Sequence, residues 1–245
     1  MFAFVASESR EFSGLLRHVE GSTALDWGID FARDGLLNGR AIVIAANGPG
    51  PKLAASAAKA IKGHYELEGL ASIGFCGALL PDLHAGDVLV ATSLVTVPPH
   101  PGVPQALSLP HSHVAHALSV PRTHSCERLV RLLSIDQVAH TAESKHNLHH
   151  QTSAEAVEME TAGLAPLARE WQIPFFAVKI VTDTASESFL LDFNLLRTPE
   201  GRFSRPKIIA ATLRRPTAIP ALINLNRRCT QAAAILGDFI ANASF

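Results

Sequence analysis

Residues 41–61 read AIVIAANGPGPKLAASAAKAI, which is the pattern of a strand, a tight turn and a helix. The apolar run Ala41–Ala46 has the length and the β-branched content of a buried strand. Asn47-Gly48-Pro49-Gly50 predicts a turn, and Pro51 suits the first position of a helix. A strand followed directly by a helix indicates one βα unit of an α/β sheet. The helix is predicted over Lys52–Glu66, with one apolar face formed by Leu53, Ala57, Ala60 and Ile61.

On both sides of this unit, short apolar runs continue to alternate with longer segments of helical periodicity. Near the C-terminus, Thr217 is a candidate N-cap for a long helix that packs on the sheet. We find no repeat and no linker, so the sequence predicts one α/β domain over residues 1–245. The apolar runs predict five more strands: Phe2–Ala6, Ala71–Cys76, Val88–Thr92, Ala154–Met159 and Phe175–Val181. The apolar stripe of the C-terminal helix is predicted to contain Ile219, Leu222, Ile223, Leu236, Phe239 and Ile240.

Composition excludes several classes of protein. Hydrophobic residues make up 47% of the chain and charged residues 18%, so a disordered chain is excluded. The 21 Lys and Arg residues balance 22 Asp and Glu residues, so no overall field attracts the chain to nucleic acid or to an anionic membrane. We therefore predict no nucleic-acid partner and no stable membrane insertion. Three cysteines without a C-x-x-C pair favour a reducing compartment, and we predict a cytoplasmic protein.

A proline- and histidine-rich segment at about residues 98–124 has neither helical nor strand periodicity, so we predict a long loop or lid. His111, His113 and His116 lie close together in it, but no Cys or carboxylate accompanies them. Such spacing is common in histidine-rich loops, so we predict no bound metal. The loop either forms an apolar mouth for a binding site or covers a subunit contact.

The candidate site is formed by polar residues that follow the apolar runs, because open α/β sheets bind ligands beyond the carboxyl ends of their strands. Each group alone has an ordinary structural explanation as a helix cap, a tight turn or a packing glycine. Together they place several carboxylates and a glycine-lined wall at one edge, which suits a neutral polyol. A phosphate-rich nucleotide fits less well, since neither a P-loop nor a G-x-G-x-x-G motif is present. The residues are Glu8, Ser9, Arg10 and Glu11, then Asn47 to Gly50, Gly74 to Gly77, Glu158 to Glu160, and Thr182 with Asp183.

Five stretches of the sequence carry a resemblance to a known family. The runs AVEMETA at 156–162, IPFF at 173–176 and KIVTD at 179–183 resemble the signature of the superfamily of purine nucleoside phosphorylases and methylthioadenosine/S-adenosylhomocysteine nucleosidases. GFCGAL at 74–79 and LHAGDV at 83–88 are similar to the same family's glycine-rich strand end and following strand. The resemblance implies a three-layer α/β sandwich with a mixed, mostly parallel central sheet flanked by helices. It also implies cleavage of the N-ribosidic bond of a purine nucleoside, expected to be an adenine nucleoside, without a cofactor.

The resemblance also implies roles for individual residues. Glu160 falls where the family's glutamate binds the ribose hydroxyls, and Met159 where a side chain packs beneath the sugar. Asp183 falls where an aspartate serves the purine N7, and a buried carboxylic acid can protonate a departing purine there. Glu11 aligns, with one extra residue in the turn, with the glutamate that activates the attacking water. Without that gap Arg10 takes the position, which favours phosphate as the nucleophile.

The remaining assignments complete the predicted pocket. Glu158, Cys76 and Gly77 are assigned to the wall that binds the base and the ribose. Gly48 and Ser72 are assigned, with Arg10, to a pocket for water or phosphate. Phosphorylases of this superfamily usually carry an arginine before the glycine-rich strand end, and this chain has Ser72 and Phe75 around that point, which favours hydrolysis.

Three functions stay open at this stage. The first is a nucleosidase or phosphorylase acting on a small adenine nucleoside. The second is an adenosylhopane-type phosphorylase with a lipid-linked substrate, because TAESK at 141–145 and RRPTAIPAL at 214–222 resemble that branch. The third is a nucleoside-binding protein without catalysis, since a fold does not guarantee an activity. A homodimer is expected, with a trimer or hexamer as the alternative.

Overall fold

A computed structural model describes residues 1–96 and 127–243, together with the backbone of Gln105–Ser108 and, for Glu127, the backbone alone. The predicted loop at about 98–124, with its three histidines, therefore lies outside the described residues except for Gln105–Ser108. Those four residues form a short strand instead of loop.

Within these residues, ten strands form one mixed sheet. The strands are β1 (Phe2–Ala6), β2 (Val19–Ala24), β3 (Phe31–Leu37), β4 (Arg40–Ala46), β5 (Gly69–Ala78), β6 (Val88–Thr96), β7 (Gln105–Ser108), β8 (Glu127–Ser134), β9 (Ala156–Glu158) and β10 (Phe175–Asp183). Strand β5 is central, because it pairs in parallel with β1 and β10 and antiparallel with β9. The pairings β5–β10–β6–β8–β9–β5 close a circuit, and β1, β4, β3 and β2 extend the sheet from β5.

Five helices and three short 3-10 turns surround the described sheet. The helices are α1 (Pro51–His64), α2 (Ala142–Thr152), α3 (Thr161–Glu170), α4 (Arg205–Arg214) and α5 (Ile219–Ala241), and the turns are Ser9–Phe12, Leu15–Arg17 and Pro216–Ala218. Helices α1 and α3 share one buried cluster with one face of the sheet, and α5 contributes to a cluster on the other face. Gly163 permits the close approach of α3 to α1, because a Cβ there would overlap the backbone oxygen of Pro51.

The architecture confirms the predicted α/β fold with a mixed sheet flanked by helices. Among the described residues, five strand pairs are parallel and five are antiparallel, so the sheet is evenly mixed and not mostly parallel as expected. All six predicted strands are present, and the predicted helix over Lys52–Glu66 corresponds to α1. No helix in the described ranges is long and apolar enough to cross a membrane.

Two predictions for the C-terminal helix are wrong. Thr217 does not cap it, since Thr217 lies in a 3-10 turn and the N-cap of α5 is Ala218, without a side-chain cap. The apolar stripe is buried only in the second half, where Leu236 and Ile240 are inaccessible to solvent. In the first half, Ile219 and Ile223 are exposed because that half extends past the edge of the buried cluster.

Candidate active site

Glu11 is held at the end of β5 by the 3-10 turn that follows β1. Its Oε1 accepts the backbone N–H of Glu8 at 3.2 Å, and its Oε2 accepts the backbone N–H of Phe75 at 3.3 Å. Gly74 has φ +132°, and a Cβ at this position would overlap Oε2 of Glu11. A glycine is therefore required at this strand end for the buried carboxyl group to approach it.

The side-chain carboxylate of Glu160 lies at the N-terminus of α1. Its Oε1 accepts the backbone N–H of Gly50 at 3.2 Å, and Gly50 has φ +104°, which favours glycine. The N–H of Gly48 is bound to the carbonyl oxygen of Ser7 at 2.9 Å. The anion position that the turn at 47–50 offers is thus filled by the protein's own carboxylate.

A buried lysine joins Glu158 and Glu160. The Nζ of Lys179 lies 2.8 Å from Oε2 of Glu158 and 3.7 Å from Oε2 of Glu160. Glu158 also accepts the backbone N–H groups of Glu160 and Thr161. Its side chain is fully buried. This geometry supports a role for Glu158 in orienting Glu160 and Lys179, and argues against direct contact between Glu158 and a substrate.

Asp183, at the end of β10, has a buried lysine as its partner. The Nζ of Lys145 on α2 donates to Oδ2 of Asp183 at 2.5 Å and to the carbonyl oxygens of Thr184 at 2.7 Å and Glu187 at 3.2 Å. The hydroxyl of Thr182 donates to Oδ1 at 2.9 Å. Gly77 pairs with Asp183 across the sheet, and a Cβ on Gly77 would come within 2.8 Å of Oδ2. The carboxyl group is therefore fixed in orientation from both sides.

Burial shifts the protonation of these acids. Burial, and then the nearby carboxylate of Glu160, raise the pKa of Glu11 to about 8. Burial raises the pKa of Glu160 to about 7, although the ammonium group of Lys179 opposes it. Burial also raises the pKa of Asp183, and the ammonium group of Lys145 opposes that shift. Carboxyl groups with raised pKa values can exchange protons near neutral pH.

Glu158 behaves differently from the other carboxyl groups. Burial alone would raise its pKa, but the charge and the hydrogen bond of Lys179 lower the pKa of Glu158 below its usual value. The two carboxylates in turn raise the pKa of Lys179, against the effect of burial. The two opposite shifts favour the ionised forms of Glu158 and Lys179, which form a buried ion pair.

The other predicted site residues differ in their burial and in their contacts. Met159 is half-buried beside Glu160, and Cys76 is buried on β5, where burial raises the pKa of its thiol. Arg10 is half-exposed, with Nε 2.8 Å from Oε2 of Glu8 and its guanidinium over the ring of Phe75. Ser72 lies in the middle of β5, fully buried, and its Oγ accepts the hydroxyl of Thr161 at 3.0 Å. The hydroxyl of Ser72 is therefore bound within the protein, and its role in a water or phosphate pocket stays a prediction.

Sequence reasoning missed the two lysines. Lys179 interrupts the apolar run of β10, and a charged residue inside a buried strand is a signal for an internal ion pair. Lys145 gives no such signal, because its helix is polar and Asp183 is 38 residues away. Two arginines that hold the turn at 47–50 were also missed. Nη2 of Arg202 donates to Oδ1 of Asn47 at 2.7 Å, and Nη2 of Arg197 donates to the carbonyl oxygen of Pro49 at 3.3 Å.

No group of three or more His, Cys, Asp or Glu side chains in the described part of the chain could hold a metal ion. The site is thus described by its carboxyl groups, its two lysines and its glycine-lined backbone.

Comparisons with known proteins find matches to the sequence and to the fold of this chain. A sequence model of the phosphorylase superfamily matches residues 29–201. The 5′-methylthioadenosine/S-adenosylhomocysteine nucleosidase of Mycobacterium bovis is 32% identical over 63 residues, which is 26% of this chain and 25% of that protein. The matched region therefore spans about a quarter of the length of this curated relative.

Several solved structures share the fold. The 5′-methylthioadenosine/S-adenosylhomocysteine nucleosidase of S. pneumoniae, solved with a transition-state inhibitor, has a TM-score of 0.75 at 15% identity, covering 98% of this chain and 96% of that one. The corresponding enzyme of Neisseria meningitidis, in complex with methylthio-immucillin-A, has a TM-score of 0.74 at 21% identity, covering 98% of this chain and 96% of that one. Futalosine hydrolase of Helicobacter pylori has a TM-score of 0.75 at 18% identity, covering 98% and 95%.

Proposed function

Because the chain belongs to the phosphorylase superfamily, we propose that it cleaves the N-ribosidic bond of a purine nucleoside, with an adenine nucleoside as the expected substrate. The observation that carries the proposal is the buried set of three carboxyl groups, Glu11, Glu160 and Asp183, at the carboxyl ends of neighbouring strands or just beyond them. Solved nucleosidase structures with the same fold contain bound inhibitors, which supports a nucleoside-binding function for this fold.

The proposed reaction uses each carboxyl group once. Glu160 binds the ribose hydroxyls, and its carboxylate stabilises the positive charge that develops on the sugar in an oxocarbenium-like transition state. Asp183 gives its proton to N7 of the purine while the bond between C1′ and the purine nitrogen breaks, with its electron pair leaving on the base. A water oxygen bonds to C1′ and loses a proton to Glu11. The second proton of that water stays on the new hydroxyl group.

Water is favoured as the nucleophile over phosphate. The backbone N–H of Gly50 is occupied by Glu160, and the N–H of Gly48 by Ser7, so the turn offers neither donor to an anion. Arg10 is paired with Glu8 and lies half-exposed. Glu11, by contrast, is buried with a raised pKa, which suits the base that accepts a proton from water.

The test is the release of free adenine from adenosine, methylthioadenosine, S-adenosylhomocysteine and a 5′-alkyl adenosine, each with and without phosphate. Release that does not need phosphate establishes a nucleosidase. Strict dependence on phosphate would make the protein a phosphorylase and assign the nucleophile side to Arg10. Binding of these nucleosides with no release would make it a binding protein.

The assembly is also a proposal. We propose one domain over residues 1–245 and a homodimer in solution, because the sequence of the predicted loop contains apolar residues that a subunit contact would bury. Sedimentation equilibrium would give the mass of the particle directly, and the mass of a single chain would contradict the homodimer.

The raised pKa of Glu11 predicts the pH dependence of the reaction. A general acid must be protonated and a general base ionised, so kcat/KM should have a falling limb that belongs to Asp183 and a rising limb that belongs to Glu11, whose pKa is about 8. Glu11→Gln should remove the rising limb and lower kcat by about 10²-fold or more. The matched control is Glu8→Gln in the same turn, which should keep the limb. A limb that survives in Glu11→Gln would assign it to another group.

Lys145 is predicted to position Asp183 and to limit its pKa. Lys145→Met removes the opposing ammonium, so the limb of the pH profile that belongs to Asp183 should move to higher pH by about 1–3 units. The other ionisable groups near this carboxyl are Glu187, which Arg228 binds, and the thiol of Cys76. Lys145→Arg retains the charge and should keep the limb near its original position. A folded Lys145→Met variant with an unmoved limb would show that Lys145 has only a structural role.

A further inference from the structure

Helix α4 and the first half of α5 expose large aliphatic side chains. Leu213 is 73% exposed, Ile223 65%, Ile209 60% and Ile219 42%. Helix α4 contributes no buried residue. Four large aliphatic side chains on two consecutive helices are more than the scattered single residues that an ordinary surface carries.

The same segment is strongly basic. Residues 205–228 contain six Arg and Lys residues and no Asp or Glu. Three of the six, Lys207, Arg215 and Arg228, have partners. In the ranges that the structure describes, the other three, Arg205, Arg214 and Arg227, are exposed and have no hydrogen bond or ion pair to another side chain. The balanced charge of the whole chain therefore conceals a local excess of positive charge at residues 205–228, which we term the basic face.

We propose that the basic face docks on the surface of an anionic lipid bilayer. Ile209 is four residues from Arg205 on α4, and Ile223 is four residues from Arg227 on α5. Each pair therefore lies on one side of its helix. Such aliphatic side chains can enter the boundary between headgroups and acyl chains while the charges bind lipid phosphates. Each Arg or Lys near such a surface adds to the attraction, so three unpaired guanidinium groups give a strong dependence on lipid charge. This contact is peripheral and independent of the proposed reaction.

Two other occupants fit the basic face less well. A second copy of the chain in a twofold dimer would place this face against itself, and the unpaired arginines would repel one another. Single-stranded nucleic acid is bound with aromatic side chains that stack on bases, and residues 205–228 contain no Phe, Tyr or Trp. Exposed isoleucine and leucine side chains also gain nothing from contact with a phosphate backbone.

The experiment is sedimentation of the full chain with vesicles of phosphatidylcholine alone or with about 30% phosphatidylglycerol, at low and at high salt. We expect binding to the anionic vesicles at low salt, at least tenfold weaker binding to neutral vesicles, and a loss of binding as salt screens the charges. Absence of binding to anionic vesicles at low salt would overturn the proposal.

Two variants identify the surface. Arg205→Glu/Arg214→Glu on α4 should weaken vesicle binding at least tenfold, and Ile209→Gln/Leu213→Gln should do the same through the apolar contact. The matched control, Lys59→Glu/Arg169→Glu, reverses two exposed charges on α1 and α3 and should bind as the unmodified chain does. All these side chains are exposed, so circular dichroism should show folded proteins.

Three results would overturn the proposal. The first is equal loss of binding in the control and the α4 variants. The second is a dimer in sedimentation equilibrium that the α4 variants dissociate, which would assign the face to a second copy. The third is salt-dependent binding to an oligonucleotide with none to vesicles, which would assign it to nucleic acid.

Discussion

Asp183→Asn is expected to lower kcat by at least about 10²-fold, while the affinity for an adenine nucleoside changes little. The amide cannot give a proton to N7, so the base must leave without it. Lys145 keeps an oxygen acceptor at the same position, since the amide oxygen can replace Oδ2, and the hydrogen bonds to Thr184 and Glu187 are unaffected. The variant therefore loses the proton donor but keeps the binding site.

The measurement is single-turnover release of adenine, combined with a binding titration of the same nucleoside. Asp238→Asn is the matched control. Asp238, on α5, forms an exposed pair with His18, so this variant should leave the rate unchanged. A rate for Asp183→Asn within about threefold of the unmodified protein would remove Asp183 from the role of proton donor.

Lys179→Met is expected to lower the free energy of unfolding by about 3–5 kcal/mol, because it leaves the fully buried carboxylate of Glu158 without its counter-ion. Urea denaturation gives this value directly. The double variant Lys179→Met/Glu158→Gln removes both charges and should recover most of the loss. Equal loss in the single and double variants would show that the ion pair is not the cause.

A surface pair provides the matched control for that measurement. Lys62 lies 2.7 Å from Glu66 on the exposed side of α1, and Lys62→Met should change the unfolding free energy by less than about 1 kcal/mol. The pKa of Glu158 is lowered by folding, so its contribution to stability is present above the usual glutamate pKa. This contribution is lost as pH falls through the lowered pKa. At acidic pH, the free energies of unfolding of Lys179→Met and of the unmodified protein should therefore differ less than at neutral pH.

The carboxyl groups of the site could be predicted because they follow apolar runs. Glu11, Glu160 and Asp183 each lie at the end of a strand or shortly after it, each strand is marked in the sequence by its apolar run, and α/β sheets bind ligands near such strand ends. Their partners could not be predicted in the same way. The pair of Lys145 with Asp183 and the bond of Glu160 to Gly50 join residues that are 38 and 110 positions apart.

There is also a physical reason why some strands were not predicted from the sequence. Strand β2 contains no buried residue, and β3 is only partly buried, so neither shows a continuous apolar run. Strand β8 follows the segment that was predicted as a loop. The exposed first half of α5 could not be foreseen either, because a stripe of apolar residues predicts a buried face whether or not the sheet extends far enough to cover it.

The structure also limits where an anion could bind. The turn at 47–50 resembles an anion site in the sequence, yet its N–H groups bind Glu160 and Ser7. A site that supplies its own carboxylate at a helix N-terminus favours the cationic sugar of an oxocarbenium-like transition state, to which a negative charge is complementary.

Free adenine, measured by chromatography from an adenine nucleoside in phosphate-free buffer, tests the central claim most directly. We predict that adenine and free sugar form in equal amounts with the unmodified protein, and that Asp183→Asn forms neither at a comparable rate. No adenine from any nucleoside of the panel, with or without phosphate, would contradict the assignment of these buried carboxyl groups to cleavage of a purine N-ribosidic bond.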